Sequence, residues 1–166
     1  MAENYGEKKR MKILVVEPGK VPSVREISQG LKAMQQVVGG PIQAVYPFQD
    51  SAALVCHEEG KLLKLPLNRA LRTEDGTVYD MIAGPFFVCG LAGDSFASLT
   101  EEQIQRYMSI FQRPEQFLNI SGSLLILVGV LMSTGTLGRL LNLPKPCANR
   151  AYPSGTRIMY LKRVGF

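Results

Sequence analysis

Between Gln116 and Gly138 the chain carries no charged residue, and every acid it possesses comes before that stretch. The feature divides the sequence into two parts that follow different rules. All fourteen Asp and Glu residues lie between Glu3 and Glu115. From Arg139 to the end there are six bases (Arg139, Lys145, Arg150, Arg157, Lys162 and Arg163) and no acid. The net charge of +5 is therefore a property of the C-terminal end, because Met1 to Gly138 holds 13 bases against 14 acids, a net of −1. A basic balance ordinarily directs attention to nucleic acid or anionic lipid. Here the near-neutral part has no stripe of bases interleaved with aromatics, so nucleic-acid binding is expected through the tail only, salt-sensitive and sequence-blind.

The first part shows the local grammar of a folding unit. Lys12–Val16 reads as a strand ended by Glu17-Pro18-Gly19. Ser23 and Glu26 have the spacing of a capping box, and Val24, Ile27, Leu31, Met34 and Val38 follow at helical steps, which predicts a helix over 23–38 closed by Gly39 and Gly40. Residues 42–48 alternate as a half-buried strand. Ala52–Cys56 and Lys61–Leu65 read as a hairpin joined by His57 to Gly60, with Gly60 taking a positive φ. Leu67–Arg72 is expected to form a short helical turn, and Glu74-Asp75-Gly76 a tight turn. Gly84-Pro85 splits the apolar run 78–88, which argues for an edge strand or a bulge, and 90–98 reads as loop. Thr100 and Gln103 form a second capping box, with Glu101 and Glu102 in the first turn and Ile104, Tyr107, Met108 and Phe111 on the inward face. The expectation is an α+β domain over residues 11–117. It has a small, mostly antiparallel sheet of four or five strands, the first helix on one face and the second near the C-terminal end. Met1–Arg10 reads as a disordered leader.

The segment 118–166 is apolar, then basic. Three readings of it compete. A membrane-spanning helix needs about 20 mostly apolar residues; the 23 uncharged residues over 116–138 supply the length, but Asn119, several Ser and Thr, and four glycines dilute it. A second reading packs Leu124–Met132 onto the domain as helix or strand. The third treats the segment as no part of the fold, a read-through, a shifted frame or a fusion. The contrast with the well-capped domain favours the third. Membrane association is not expected.

No set of residues suited to catalysis emerges. His57 is the single histidine, so a multi-histidine metal site is excluded, and its place beside Glu58 and Glu59 reads as a solvated turn. Neither Gly39-Gly40 nor Gly135-Thr136-Leu137-Gly138 carries the glycine–lysine–hydroxyl order of a phosphate loop. No enzyme, metal or cofactor is expected. The three cysteines, Cys56, Cys89 and Cys147, make no even disulfide set and no CxxC, which fits a reducing cytoplasm. Ile13–Val16 is too short for a signal-peptide core. The one binding feature is Asn68, Arg69 and Arg72, polar heads at a proline-bounded turn that suit a protein partner. The competing reading has Arg69 tie down a neighbouring loop through carbonyls or a carboxylate.

Met11–Lys20, Leu31–Gly40, Ile42–Phe48, Glu58–Lys61, Leu65–Arg69, Tyr79–Gly84 and Phe96–Ile104 together, in order and spacing, resemble DUF3846, a family of domains of unknown function, over residues 11 to about 118. The resemblance implies carriage by gut Firmicutes, often on phages and conjugative elements, and no assigned activity, cofactor or catalytic residue. It also implies that the chain after Leu118 lies outside the usual pattern. The expected function is thus a non-enzymatic accessory protein of a bacterial mobile element or phage that binds an unknown protein partner. The alternatives are a nucleic-acid-associated protein using the tail and a membrane-anchored protein using 118–138.

Overall fold

The computed structural model describes residues 9–129. Residues 1–8 of the leader expected over Met1–Arg10, Cys147, the six-base tail and the end of the apolar run therefore lie outside the described residues. Three strands form the centre of the molecule: β1 (Arg10–Val16), β4 (Ala52–His57) and β7 (Phe86–Ala92). Each is nearly continuously apolar because each is buried on both faces, the pattern that a short unbroken apolar run encodes. Met11, Ile13, Val15, Ala53, Val55, Phe87 and Cys89 face one side, where α1 (Leu31–Val38) adds Met34 and Val38. Leu14, Val16, Ala52, Leu54, Cys56, Phe86 and Val88 face the other. That second side is covered by Ile104, Tyr107 and Phe111 of α2 (Glu101–Phe111), and by Leu71 and Ile82 of a hairpin made from β5 (Leu67–Arg72) and β6 (Val78–Ala83).

The main sheet is entirely antiparallel and larger than expected. Its order is β2-β1-β7-β4-β3, with β2 (Ser23–Ser28) and β3 (Ile42–Val45) at the edges, and β8 (Ser95–Ala97) pairing with β7 as a sixth strand. The α+β class stands. The second helix lies across a sheet face.

Several local expectations are corrected by long-range pairing. The helix over 23–38 is a strand and a shorter helix. Gly19 turns the chain at φ 72°, and β2 then runs back along β1 from Val15↔Ser23 to Arg10↔Ser28. Six backbone pairings on the open edge of β1 outweigh a local capping box whose benefit is about 1 kcal/mol. Val24, which a helix would bury, is exposed, while Met34 and Val38 keep their inward places in α1. The expected C-cap is found: Gly39 sits at φ 84° and its N–H reaches the Gln35 carbonyl.

Lys61–Leu65 is a turn, not a returning strand; β4 pairs with β3 and β7 instead. Gly60 has no positive φ. A Cβ there would lie 2.7 Å from the Ala83 carbonyl oxygen, so close approach of β6 is what requires glycine. His57 is buried, not solvated: its Nδ1 accepts the Glu59 N–H at 3.0 Å, and its ring lies against Gly40. Leu67–Arg72 is a strand rather than a helical turn, bonded to β6 through the turn at residues 73–77. Gly84-Pro85 marks the passage between two sheets, and β7 beyond it is the central strand, not an edge. Residues 90–97 form the β7–β8 hairpin where a loop was expected.

Regular structure continues past 117. β9 (Glu115–Ile120) and β10 (Ser123–Val128) form a hairpin with β9 beside β5, and Leu124 and Ile126 are buried. The charge-free run is therefore strand over its first part, and Arg10 belongs to β1 rather than to a leader. Among the described residues, no helix is long and apolar enough to cross a membrane.

Candidate functional site

The most unusual chemistry of the molecule is on β5. Its sequence reads Leu67-Asn68-Arg69-Ala70-Leu71-Arg72, and four of these six residues are buried. Two of the four are polar: Asn68 is 0% and Arg69 1% exposed. Buried polar groups persist only when their hydrogen bonds are satisfied, and here they are. Asn68 Nδ2 donates to the Val16 and Gly84 carbonyls, both at 2.9 Å, which ties β5 to the end of β1 and to the turn before β7. Asn68 Oδ1 accepts from Arg69 Nη1 at 3.0 Å. Arg69 Nε and Nη2 both donate to the Phe111 carbonyl, and Nη2 also reaches the Lys20 carbonyl at 2.7 Å. Burial lowers the Arg69 pKa to about 10, while nearby Glu115 raises it; at neutral pH the guanidinium stays charged.

The expectation that Asn68 and Arg69 present polar heads to a partner is thus corrected. The alternating side chains of a strand packed on both faces turn them inward, and Arg69 joins the end of α2, the 17–20 turn and β5. Arg72 is partly exposed. Its Nη1 donates to the Ala70 carbonyl at 3.1 Å and to Glu115 Oε1 at 2.6 Å. The other carboxylate oxygen of Glu115 accepts the Ala70 N–H at 2.8 Å. Glu115 is itself buried, so one carboxylate from β9 meets a strand N–H and an arginine on β5.

Two clefts flank the β5–β6 hairpin and share Tyr79. The first, about 290 Å³, has Arg72 and Glu115 in its wall with Phe48, Ile110, Phe111 and Tyr79. The second, about 520 Å³, is a groove along Leu65, Leu67, Val78 and Met81, with Lys61, Lys64 and Asp80 in its lining. Next to it in sequence, Leu62 is 82% and Leu63 56% exposed, and Tyr79 is 53% exposed. The turn that carries the leucines is held by Leu63 N–H to Glu59 O, Lys64 N–H to Lys61 O and Leu65 N–H to Gly60 O. Lys64 takes φ 54°, a left-handed conformation costly for a side chain with a Cβ. Lys61 pairs with Asp80.

A third cluster fastens the 46–51 loop to α2. Asp50 accepts from the Tyr107 hydroxyl and from Arg106 Nη1, the latter at 2.8 Å. Burial, then the Asp50 hydrogen bond, raises the Tyr107 pKa. Cys56 and Cys89 are buried free thiols, both pushed up by burial, Cys89 to about 12. Among the described residues, no group of three or more His, Cys, Asp and Glu side chains is placed to hold a metal ion.

Sequence reasoning missed Leu62, Leu63, Tyr79 and Glu115. One signal was present: in a strand, adjacent Leu62 and Leu63 would point to opposite faces, so one of them had to face water. Glu115 gave none, because its partners lie more than forty residues away.

Fold and site together define a small α+β domain whose antiparallel sheet is covered on both faces and locked by a buried arginine. The chain belongs to the DUF3846 family, a domain of unknown function, whose profile matches residues 11–112. The β9–β10 hairpin follows the matched region. No curated protein and no solved structure matches the chain.

Proposed function

We propose that the protein is a non-enzymatic accessory protein that binds a protein partner through the surface around Leu62, Leu63 and Tyr79. One observation carries the reading: two leucines, 82% and 56% exposed, are displayed on a hydrogen-bonded turn beside an apolar groove. Scattered apolar residues on a surface are ordinary, whereas a contiguous exposed patch is the mark of an interaction site. A rigid turn also loses little conformational freedom on binding, which favours its use as an anchor. The partner supplies apolar side chains for the groove and an acid opposite Lys64. The family resemblance supports a bacterial mobile element or phage as the setting. The buried free thiols of Cys56 and Cys89 support the cytoplasm.

The test compares the full chain with a Leu62→Asp, Leu63→Asp double variant in pull-downs from a Firmicutes host. Both side chains are exposed, so the variant keeps its fold. A protein retained by the parent and lost by the variant is expected. Equal retention by both, or no protein specific to the parent, overturns the reading.

A further inference from the structure

We propose that β3 is a self-association edge, along which a second copy of this chain adds its own β3 antiparallel and joins the two main sheets into one. β3 is a terminal strand of the main sheet and pairs on one side only, with β4. The Pro41 carbonyl accepts the Glu58 N–H at 2.8 Å. Along an antiparallel strand, bonding to the partner alternates from residue to residue. Pro41, Gln43 and Val45 therefore turn their backbone groups to β4, while Ile42, Ala44 and Tyr46 turn theirs outward. Among the described residues, no turn or loop supplies a backbone partner to these outward N–H groups.

Exposed sheet edges are ordinarily guarded by a charge or an interrupting proline. Here residues 33–49 hold no charge, and Pro41 and Pro47 flank the edge without interrupting it. The free span is bounded at both ends. Gly40, the next outward position, gives its N–H to the Gln35 carbonyl at 3.1 Å, and the chain bends at residues 48–50. What is left is 42–46, centred on Ala44. A two-fold axis through an antiparallel strand pair stands perpendicular to the sheet and keeps each face on its own side, so it sets one residue opposite its own copy. With Ala44 at the axis the whole span pairs at once. Gln43 then lies opposite Val45, and Ile42 opposite Tyr46. The outward groups of 42, 44 and 46 meet in about six backbone hydrogen bonds. Tyr46 is 64% exposed, and an aromatic ring beside a β-branched side chain is a favourable cross-strand pair.

The other edge of the sheet gives the contrast. The two central positions of β2 are Arg25 and Glu26. A two-fold axis at either one sets like charges opposite each other, which is destabilising. With one edge open to a second copy and the other closed, association stops at a dimer instead of continuing as a sheet.

The experiment is sedimentation equilibrium of the full chain from about 5 to 500 μM, with amide hydrogen exchange at both limits. The contact is small, so a dimer that half-dissociates on the order of 50 μM is expected. Exchange at Ile42, Ala44 and Tyr46 should be about tenfold slower at the upper limit than at the lower. Ala44→Pro removes an outward N–H and leaves the bonds to β4, so it should raise the dissociation constant at least about tenfold. Tyr46→Asp, at an exposed position, should do the same, and it decides alone where the proline variant melts earlier than the parent at the lower limit. The Leu62→Asp, Leu63→Asp variant should dimerise as the parent does, which keeps this test separate from that of the leucine surface. A monomer throughout the range, self-association that survives Tyr46→Asp, or protection that arises along β2 instead of β3 would overturn the proposal.

Discussion

Arg69 on β5 donates through Nε and Nη2 to the backbone carbonyl of Phe111, the last residue of α2, at 3.2 and 2.9 Å. The last turn of α2 contains no basic residue of its own. A helix C-terminus collects partial negative charge and unbonded carbonyls. The cation that satisfies them here comes from a strand 42 residues earlier in the chain.

Replacing Arg69 by methionine keeps apolar bulk and removes every donor, which strands the Phe111 and Lys20 carbonyls. The expected loss is about 3 kcal/mol of unfolding free energy. It should be read as a lower urea midpoint with an unchanged slope. Lysine at this position recovers only part of the loss, because one ammonium cannot span Phe111, Lys20 and Asn68 together. Full stability of the methionine variant would show that Arg69 does not hold α2.

Asn68 gives a sharper contrast, since aspartate is nearly its isostere. Asn68 Nδ2 donates to two carbonyls at once. A carboxylate at this position would place a second acceptor between those carbonyls in a site with no solvent access. Asn68→Asp should therefore be more destabilising than Asn68→Ala, by at least about 1 kcal/mol. Thermal melts of the two variants decide it, and the opposite order would contradict this role.

These two residues also show what the sequence could convey. The second helix was legible because its signals are local. Thr100 Oγ1 accepts the Gln103 N–H and Gln103 Oε1 accepts the Thr100 N–H, as their spacing implies. The strands β1 and β4 were legible as apolar runs, whereas Gly84-Pro85 made the central β7 read as an edge. The β5 strand was not: Leu67–Arg72 has residues that suit a helix, and what makes it a strand is pairing with β6 and the burial of Asn68 and Arg69 against distant carbonyls. The same reason explains the first part of the helix expected over 23–38, where a capping pattern lost to the open edge of β1 and residues 23–28 became β2. At the candidate site, Arg69 is expected as a partner-binding residue, and the competing role as a tie to neighbouring carbonyls is the one its geometry shows.

Alkaline pH should weaken the fold through Cys89. Burial raises its pKa from 9.0 to about 12 in the folded state. The folded thiol thus keeps its proton where the unfolded one loses it. The stability it contributes is fully present below pH 9, declines as pH rises above 9, and is lost by the time pH passes 12. Between pH 8 and 10.5 the expected decline from this group is about 2 kcal/mol. Tyr107, raised in the same direction, adds to it above about pH 10. Urea midpoints of the parent and Cys89→Ala at the two pH values test the assignment. The variant starts less stable, having lost a buried group, but its midpoint falls less between them. Parallel declines would remove Cys89 as the cause.

The family match ends at residue 112 and Glu115 is the first residue of β9, so this carboxylate decides whether the hairpin is an appendage or part of the domain. Its two oxygens bond to the Ala70 N–H and to Arg72, and Arg69 lies close enough to be influenced by its charge. Removing it would leave a strand N–H unbonded and two arginines without their nearest buried carboxylate. Breaking a buried pair by deleting one partner is far more destabilising than the pair is stabilising, because the remaining charge is uncompensated. Glu115→Ala is therefore expected to cost about 3 kcal/mol. Glu115→Gln should cost less, since an amide oxygen can still accept from Ala70. Hydrogen exchange separates the alternatives. If the hairpin is anchored here, the alanine variant loses protection at Ala70 and along β9 while α1, on the far face, keeps its own. If β9 exchanges freely in the parent chain as well, the hairpin is not held by Glu115, and the domain ends where the family profile does.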